Sequence, residues 1–130
     1  MTTILLVENE DSLRALLVEI LQRSGYAVHA VGTGPAALEF CGLYQDTIDV
    51  LITELVMGPI SGIQLSTTLL WRYPGMRIII TSAHGVETLA PHVPAPKHIF
   101  MPKPFSGALL VDRLLEVSPD REPVAVESRE

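Results

Sequence analysis

At 130 residues, 48% of them hydrophobic, the chain has enough apolar side chains for one domain around a single well-covered core. Nine Lys and Arg against fifteen Asp and Glu leave a net charge of −6, which excludes wrapping nucleic acid or adhering to an anionic membrane through bulk charge. The N-terminal MTTILLVENED has no basic n-region and no apolar run is long enough to span a membrane, so a cytoplasmic location is expected.

In chain order, short apolar runs alternate with amphipathic segments. Thr3 to Val7 reads as a strand that ends at Glu8. Asp11 or Ser12 can cap the next segment, where Leu13, Leu16, Leu17, Ile20 and Leu21 recur at helical spacing before Gly25 stops it. Tyr26 to Val31 is a second strand, and Gly34-Pro35 opens a helix reaching about Tyr44. Cys41, the single cysteine, lies on that helix as a small buried residue, with no disulfide or zinc partner suggested.

A third strand covers Asp49 to Thr53 and delivers Glu54 at its end. Ser61 caps a helix from Gly62 to Tyr73, closed by Pro74-Gly75, and Arg77 to Thr81 forms a fourth strand. Residues 84–96, HGVETLAPHVPAP, hold three prolines, so a helix there is expected to end near Ala90. His98 to Met101 is a short fifth strand. Ser106 caps a last helix carrying Leu110, Val111, Leu114 and Leu115, and residues 118–130 lack periodicity and are expected to form a mobile tail after a domain at 1–117. Five strands alternating with helices imply an α/β fold with a parallel sheet covered on both faces.

Functional side chains in such a sheet gather beyond the carboxyl ends of the strands, where strand order reverses. The first strand ends in Glu8-Asn9-Glu10-Asp11, the third in Glu54, the fourth in Ser82-Ala83, and the fifth runs into Pro102-Lys103-Pro104-Phe105. If these strands are neighbours, one shallow pocket holds Glu8, Asn9, Glu54, Ser82 and Lys103, a grouping suited to phosphate and a divalent cation. His84 falls at its rim as a loop residue. The prolines around Lys103 point to a fixed turn, with Lys103-Pro104 a candidate cis bond.

The stretches ILLVENEDSLR, with Arg14 at its end, LITELVMGPISGIQL, IIITSAHG and MPKPF, in this order and spacing, resemble the receiver domain of bacterial two-component response regulators. The resemblance spans the chain to about Val117. It implies a flavodoxin-like (CheY-like), doubly wound five-stranded parallel sheet of order 2-1-3-4-5, and a place in phosphorelay signalling rather than catalysis. Carried over residue by residue, it puts Glu54 at the position of the phosphoaccepting aspartate, and Glu8 and Asn9 at the magnesium-holding acids. Ser82, Phe100 and Lys103 take the positions of the phosphate-sensing hydroxyl, the switch aromatic and the phosphate-pairing amine. The loop reads Met57-Gly58-Pro59 where the family commonly has Met-Pro-Gly.

Asn9 offers magnesium a neutral carbonyl, and Mg²⁺ demands near-octahedral oxygen geometry at about 2.0–2.1 Å. Glu8 and Glu54 each reach about 1.5 Å further than aspartate, and a misplacement of about 1 Å costs on the order of a hundredfold in a positioned reaction. Glu54 is therefore expected to be a poor phosphoacceptor and a partial phosphomimic held by Lys103, with Ser82 a second candidate donor. Magnesium is expected to be dispensable and weakly held, through Glu8 and Glu54 if at all. Two alternatives stay open: a working Mg-dependent phosphoacceptor using Glu54 or a neighbouring acid, and a small-molecule-binding flavodoxin-like domain. Against the latter, no Gly-rich phosphate loop follows the first strand. The expected partners are proteins, a histidine kinase or a downstream effector, with no nucleic acid or membrane. A homodimer stays open, because the prolines at 91–96 alter the family's usual pairing surface.

Overall fold

The computed structural model describes residues 1–83 and 98–117. The helix expected at 84–90, His84 and the mobility expected of the tail lie outside these residues. Five apolar runs form strands: β1 (Thr3–Val7), β2 (Ala27–Val31), β3 (Val50–Glu54), β4 (Arg77–Ser82) and β5 (His98–Pro102). All pairings are parallel, in the order β2-β1-β3-β4-β5, which is the expected doubly wound topology. The central strands read as continuous apolar runs because both of their faces are covered.

Alternate residues divide between two cores, as the two-residue period of a strand requires. Leu5, Val7, Leu51, Ile78 and Ile80 pack with α2 (Gly34–Leu43) and α3 (Gly62–Arg72), where Cys41 is buried as expected. Ile4, Leu6, Val50, Ile52 and Ile79 pack with Leu17 and Leu21 of α1 (Asp11–Arg23) and with Leu110 and Leu114 of α4 (Gly107–Val117). The buried stripes of α1 and α4 are narrower than their sequences suggest, since Leu16 and Leu115 are exposed. Among the described residues, no helix is long and apolar enough to cross a membrane.

Several boundaries move by one residue. Strand β3 starts at Val50 and takes in Glu54, because Glu54 pairs with Thr81 of β4. Ser82 and Pro102 likewise pair and lengthen β4 and β5. Asp49 leaves the strand, and its carboxylate accepts a 2.8 Å hydrogen bond from the Thr3 amide.

The helix starts follow their sequences at α3 and α4. The Ser61 hydroxyl accepts from the Gln64 amide while the Gln64 side chain accepts from the Ser61 amide, and the Ser106 hydroxyl accepts from Leu109. Helix α1 departs from expectation. Its N-cap is Glu10, with no side-chain cap, rather than Asp11 or Ser12. Asp11 is drawn instead into an ion pair with Arg14 at 2.7 Å, and the Glu10 amide is taken by the Glu8 carboxylate at 3.0 Å.

Gly62 fixes how closely α3 approaches the end of β3. Its amide donates to the Leu55 carbonyl at 2.8 Å, and a Cβ there would collide with the Glu54 carbonyl oxygen. Gly62→Ala is accordingly expected to destabilise the domain by about 1–3 kcal/mol through overpacking. The shift in denaturant midpoint measures it.

Candidate functional site: a lysine shared by two glutamates

The carboxyl ends of β1, β3 and β5 meet at one ammonium group. Lys103 Nζ donates to Glu8 Oε1 at 3.0 Å and to Glu54 Oε2 at 2.8 Å. Its backbone stays beside β4, where the Lys103 amide donates to the Ser82 carbonyl at 2.8 Å, and the Lys103-Pro104 bond is cis.

The second oxygen of each carboxylate is held by backbone. Glu54 Oε1 accepts from the Asn9 amide at 3.0 Å, and Glu8 Oε2 accepts from the Glu10 amide at 3.0 Å. Both amides stand at the N-terminal, partially positive end of α1, which favours negative charge. Arg14 secures this turn from the other side, donating from Nη1 to the Glu8 carbonyl at 2.8 Å and from Nη2 to Asp11.

Glu8 is 2% exposed, Glu54 14% and Lys103 18% at their side chains. Charges this far out of water persist only when paired and hydrogen-bonded, and here all four carboxylate oxygens have a donor. Burial by itself pulls the Lys103 pKa down, but hydrogen bonds to Glu54 and Glu8 and attraction to both carboxylates outweigh it. The result is raised above the ordinary lysine value.

The structure thus brings together Glu8, Glu54 and Lys103 by side chain, and Asn9 by its backbone amide. Ser82 is buried at the end of β4, and its carbonyl locates the lysine loop. Phe100 lies apart from the trio, paired with Ile80 across the sheet and half-buried against the α2–α3 core. Sequence reasoning missed the donor role of the Asn9 and Glu10 amides and the sharing of Lys103 with Glu8. The signal for the amides was present, because an acid-rich turn directly before a helix places free N–H groups beside its own carboxylates.

A family model, the response regulator receiver domain, matches residues 4–115. The chain belongs to that family. This receiver domain is 36% identical over 116 residues to the sensor kinase CckA of Brucella abortus (strain 2308), covering 88% of this chain and 12% of that kinase. It is 30% identical over 115 residues to the response regulator receiver protein CpdR of the same organism, covering 88% and 94% of the two chains. Among solved structures, the response regulator receiver protein of Sinorhizobium medicae WSM419 superposes with a TM-score of 0.82 at 29% identity, over 93% of this chain and 97% of that one.

Lys103→Met would leave two carboxylates facing each other with no cation between them. The expected loss of stability is about 3 kcal/mol, in the range for breaking a buried ion pair. Because the folded pKa of Lys103 is raised, the charged lysine's contribution is complete below the unfolded value of about 10.4 and disappears as pH rises through the folded value. Urea denaturation of both proteins at neutral and strongly alkaline pH should show the gap between them closing only above about pH 10.4.

Proposed function

We propose that this receiver domain signals with little or no dependence on aspartate-type phosphorylation, with Glu54 standing at the phosphoacceptor position as a partial phosphomimic. The observation that carries this reading is the 2.8 Å bond between Glu54 Oε2 and Lys103 Nζ. The extra methylene of glutamate brings an anionic oxygen onto the amine that pairs with phosphate in the family pattern, so the charge-assisted contact forms without phosphoryl transfer. The imitation is partial, since a carboxylate carries less charge and fewer acceptor oxygens than a phosphoryl group.

In this reading Glu8 and Asn9 form the remainder of the acid pocket, Ser82 is the phosphate-sensing position, Phe100 the switch aromatic and Lys103 the pairing amine. No residue is catalytic. Magnesium is the cation the family pattern implies, and the donor set suits it poorly. The two acids share a lysine, and the third position is the neutral Asn9. The domain therefore works without a required cofactor.

Its partners are proteins in the cytoplasm, a histidine kinase or a downstream effector that reads the conformation set by Glu54 and Lys103. The small-molecule reading has little support in the neighbouring cavity of about 180 Å³ between Asn9, Gly32–Gly34 and Met57–Pro59, well below the roughly 300 Å³ at which ligand pockets begin.

Incubation with acetyl phosphate and Mg²⁺, followed by intact-mass measurement, is expected to leave the wild-type mass unchanged. A stable gain of one phosphoryl group on wild type that Glu54→Ala abolishes would instead establish a working phosphoacceptor.

A further inference from the structure

The acid pocket that the family pattern assigns to a divalent cation disagrees with the residues this chain places there. We propose that Lys103 is the resident cation of the site: it closes Glu8 and Glu54 to divalent metals and covers a latent metal site that opens when its charge is removed. This deepens the proposed function and rests on its placement of Glu8, Asn9 and Glu54 in one acid pocket.

The argument is one of position and charge. A metal bridging Glu8 Oε1 and Glu54 Oε2 would occupy the space of Lys103 Nζ, which lies 3.0 and 2.8 Å from those oxygens. To admit a metal there, the ammonium must give up two charge-assisted hydrogen bonds, to Glu8 and to Glu54. The other two oxygens are committed to the Asn9 and Glu10 amides, so a metal could recruit them only by breaking those two bonds of the β1–α1 turn. Asn9 adds no charge. With the lysine in place, two carboxylates and one ammonium carry −2 + 1 = −1, too little to draw a strongly hydrated divalent ion out of water. Among the described residues, no group of three or more His, Cys, Asp or Glu is placed to hold a metal.

Removing the ammonium vacates the space between the two oxygens and takes away its opposing charge. The pair then carries −2, and two converging oxygens from different strands lose their partner, which is the arrangement a hard cation stabilises. The lysine therefore acts as a plug whose loss converts a closed ion trio into a two-carboxylate cation site.

Manganese is the probe, because free Mn²⁺ gives an electron paramagnetic resonance signal that fades on binding. The full chain is expected to leave that signal unchanged at millimolar metal. Lys103→Met is expected to bind one Mn²⁺ at least about tenfold more tightly than wild type, as removal of a unit charge in direct contact with the site implies. The double variant Lys103→Met, Glu54→Gln should lose that gain. Stoichiometric binding by wild type that Glu54→Gln removes overturns the proposal, as does a folded Lys103→Met with no gain. If Lys103→Met does not fold in metal-free buffer, Mn²⁺ present during refolding should rescue it but not the double variant, and absence of rescue is equally fatal. Failure here and failure of the phosphorylation reading are separable: phosphoryl uptake on Glu54 would end that reading, whereas Mn²⁺ uptake by wild type ends this one.

Discussion

A single ammonium held by two carboxylates from different strands is the constraint around which the end of this sheet is arranged. Lys103 lies 95 residues from Glu8 and 49 from Glu54, so the trio closes only when β1, β3, β4 and β5 are already in register. Strand β4 lies between β3 and β5, and neighbouring strands are about 4.8 Å apart. The lysine side chain must therefore reach across the end of β4 to meet the acids. The bond from the Lys103 amide to the Ser82 carbonyl at 2.8 Å continues the β4–β5 ladder one step past its last pair and fixes where that side chain starts. Desolvation opposes such a cluster, and Coulomb attraction offsets it only where hydrogen bonds satisfy what remains. Here two backbone amides supply that remainder, and no buried side-chain nitrogen or oxygen among the described residues lacks a partner.

The opposite side of the pocket is fixed by α1 rather than by the sheet. Arg14 reaches back one turn to the Glu8 carbonyl while pairing with Asp11, and its guanidinium lies beneath Gly32, where a Cβ would stand 3.3 Å from Nη1. One side chain thereby ties the β1–α1 turn to the loop after β2. Because the Asn9 and Glu10 amides belong to the same turn, the position of Arg14 bears on both glutamates. Helix α1 has no side-chain cap, and the amides of its N-cap residue Glu10 and of Asn9 before it bind the site's carboxylates.

Much of this was legible in the sequence because it rests on period and order. Apolar runs at 3–7, 49–53 and 77–81 read as strands, and the acids, hydroxyl and amine that follow the strands share one end of a parallel sheet by topology alone. Lys103 beside Glu54 was thus foreseeable. The cap of α1 was not, because Asp11 and Ser12 are both good cap residues by type. Asp11 is already helical and pairs with Arg14, and the N-cap position falls to Glu10. Nor could periodicity show that Leu16 and Leu115 face solvent, since the width of a buried stripe depends on how the neighbouring helix crosses it. The extra residue on β3 has the same origin: Glu54 joins the ladder because Thr81 is opposite, a fact of register between strands 27 residues apart.

The two departures in the acid pocket make most sense as one adaptation. In the proposed reading, Glu54 is longer by one methylene than the aspartate of the family pattern. Its carboxylate and that of Glu8 converge on a single ammonium, at 2.8 and 3.0 Å. A small, hard cation needs more ligands than that, arranged in an octahedron, whereas an ammonium needs only acceptors for its three protons. Asn9 fits the same logic, because a third carboxylate here would add an uncompensated negative charge. In the proposed reading, glutamate at position 54 is thus part of a change of cation, from one the protein must bind to one it carries on its own chain.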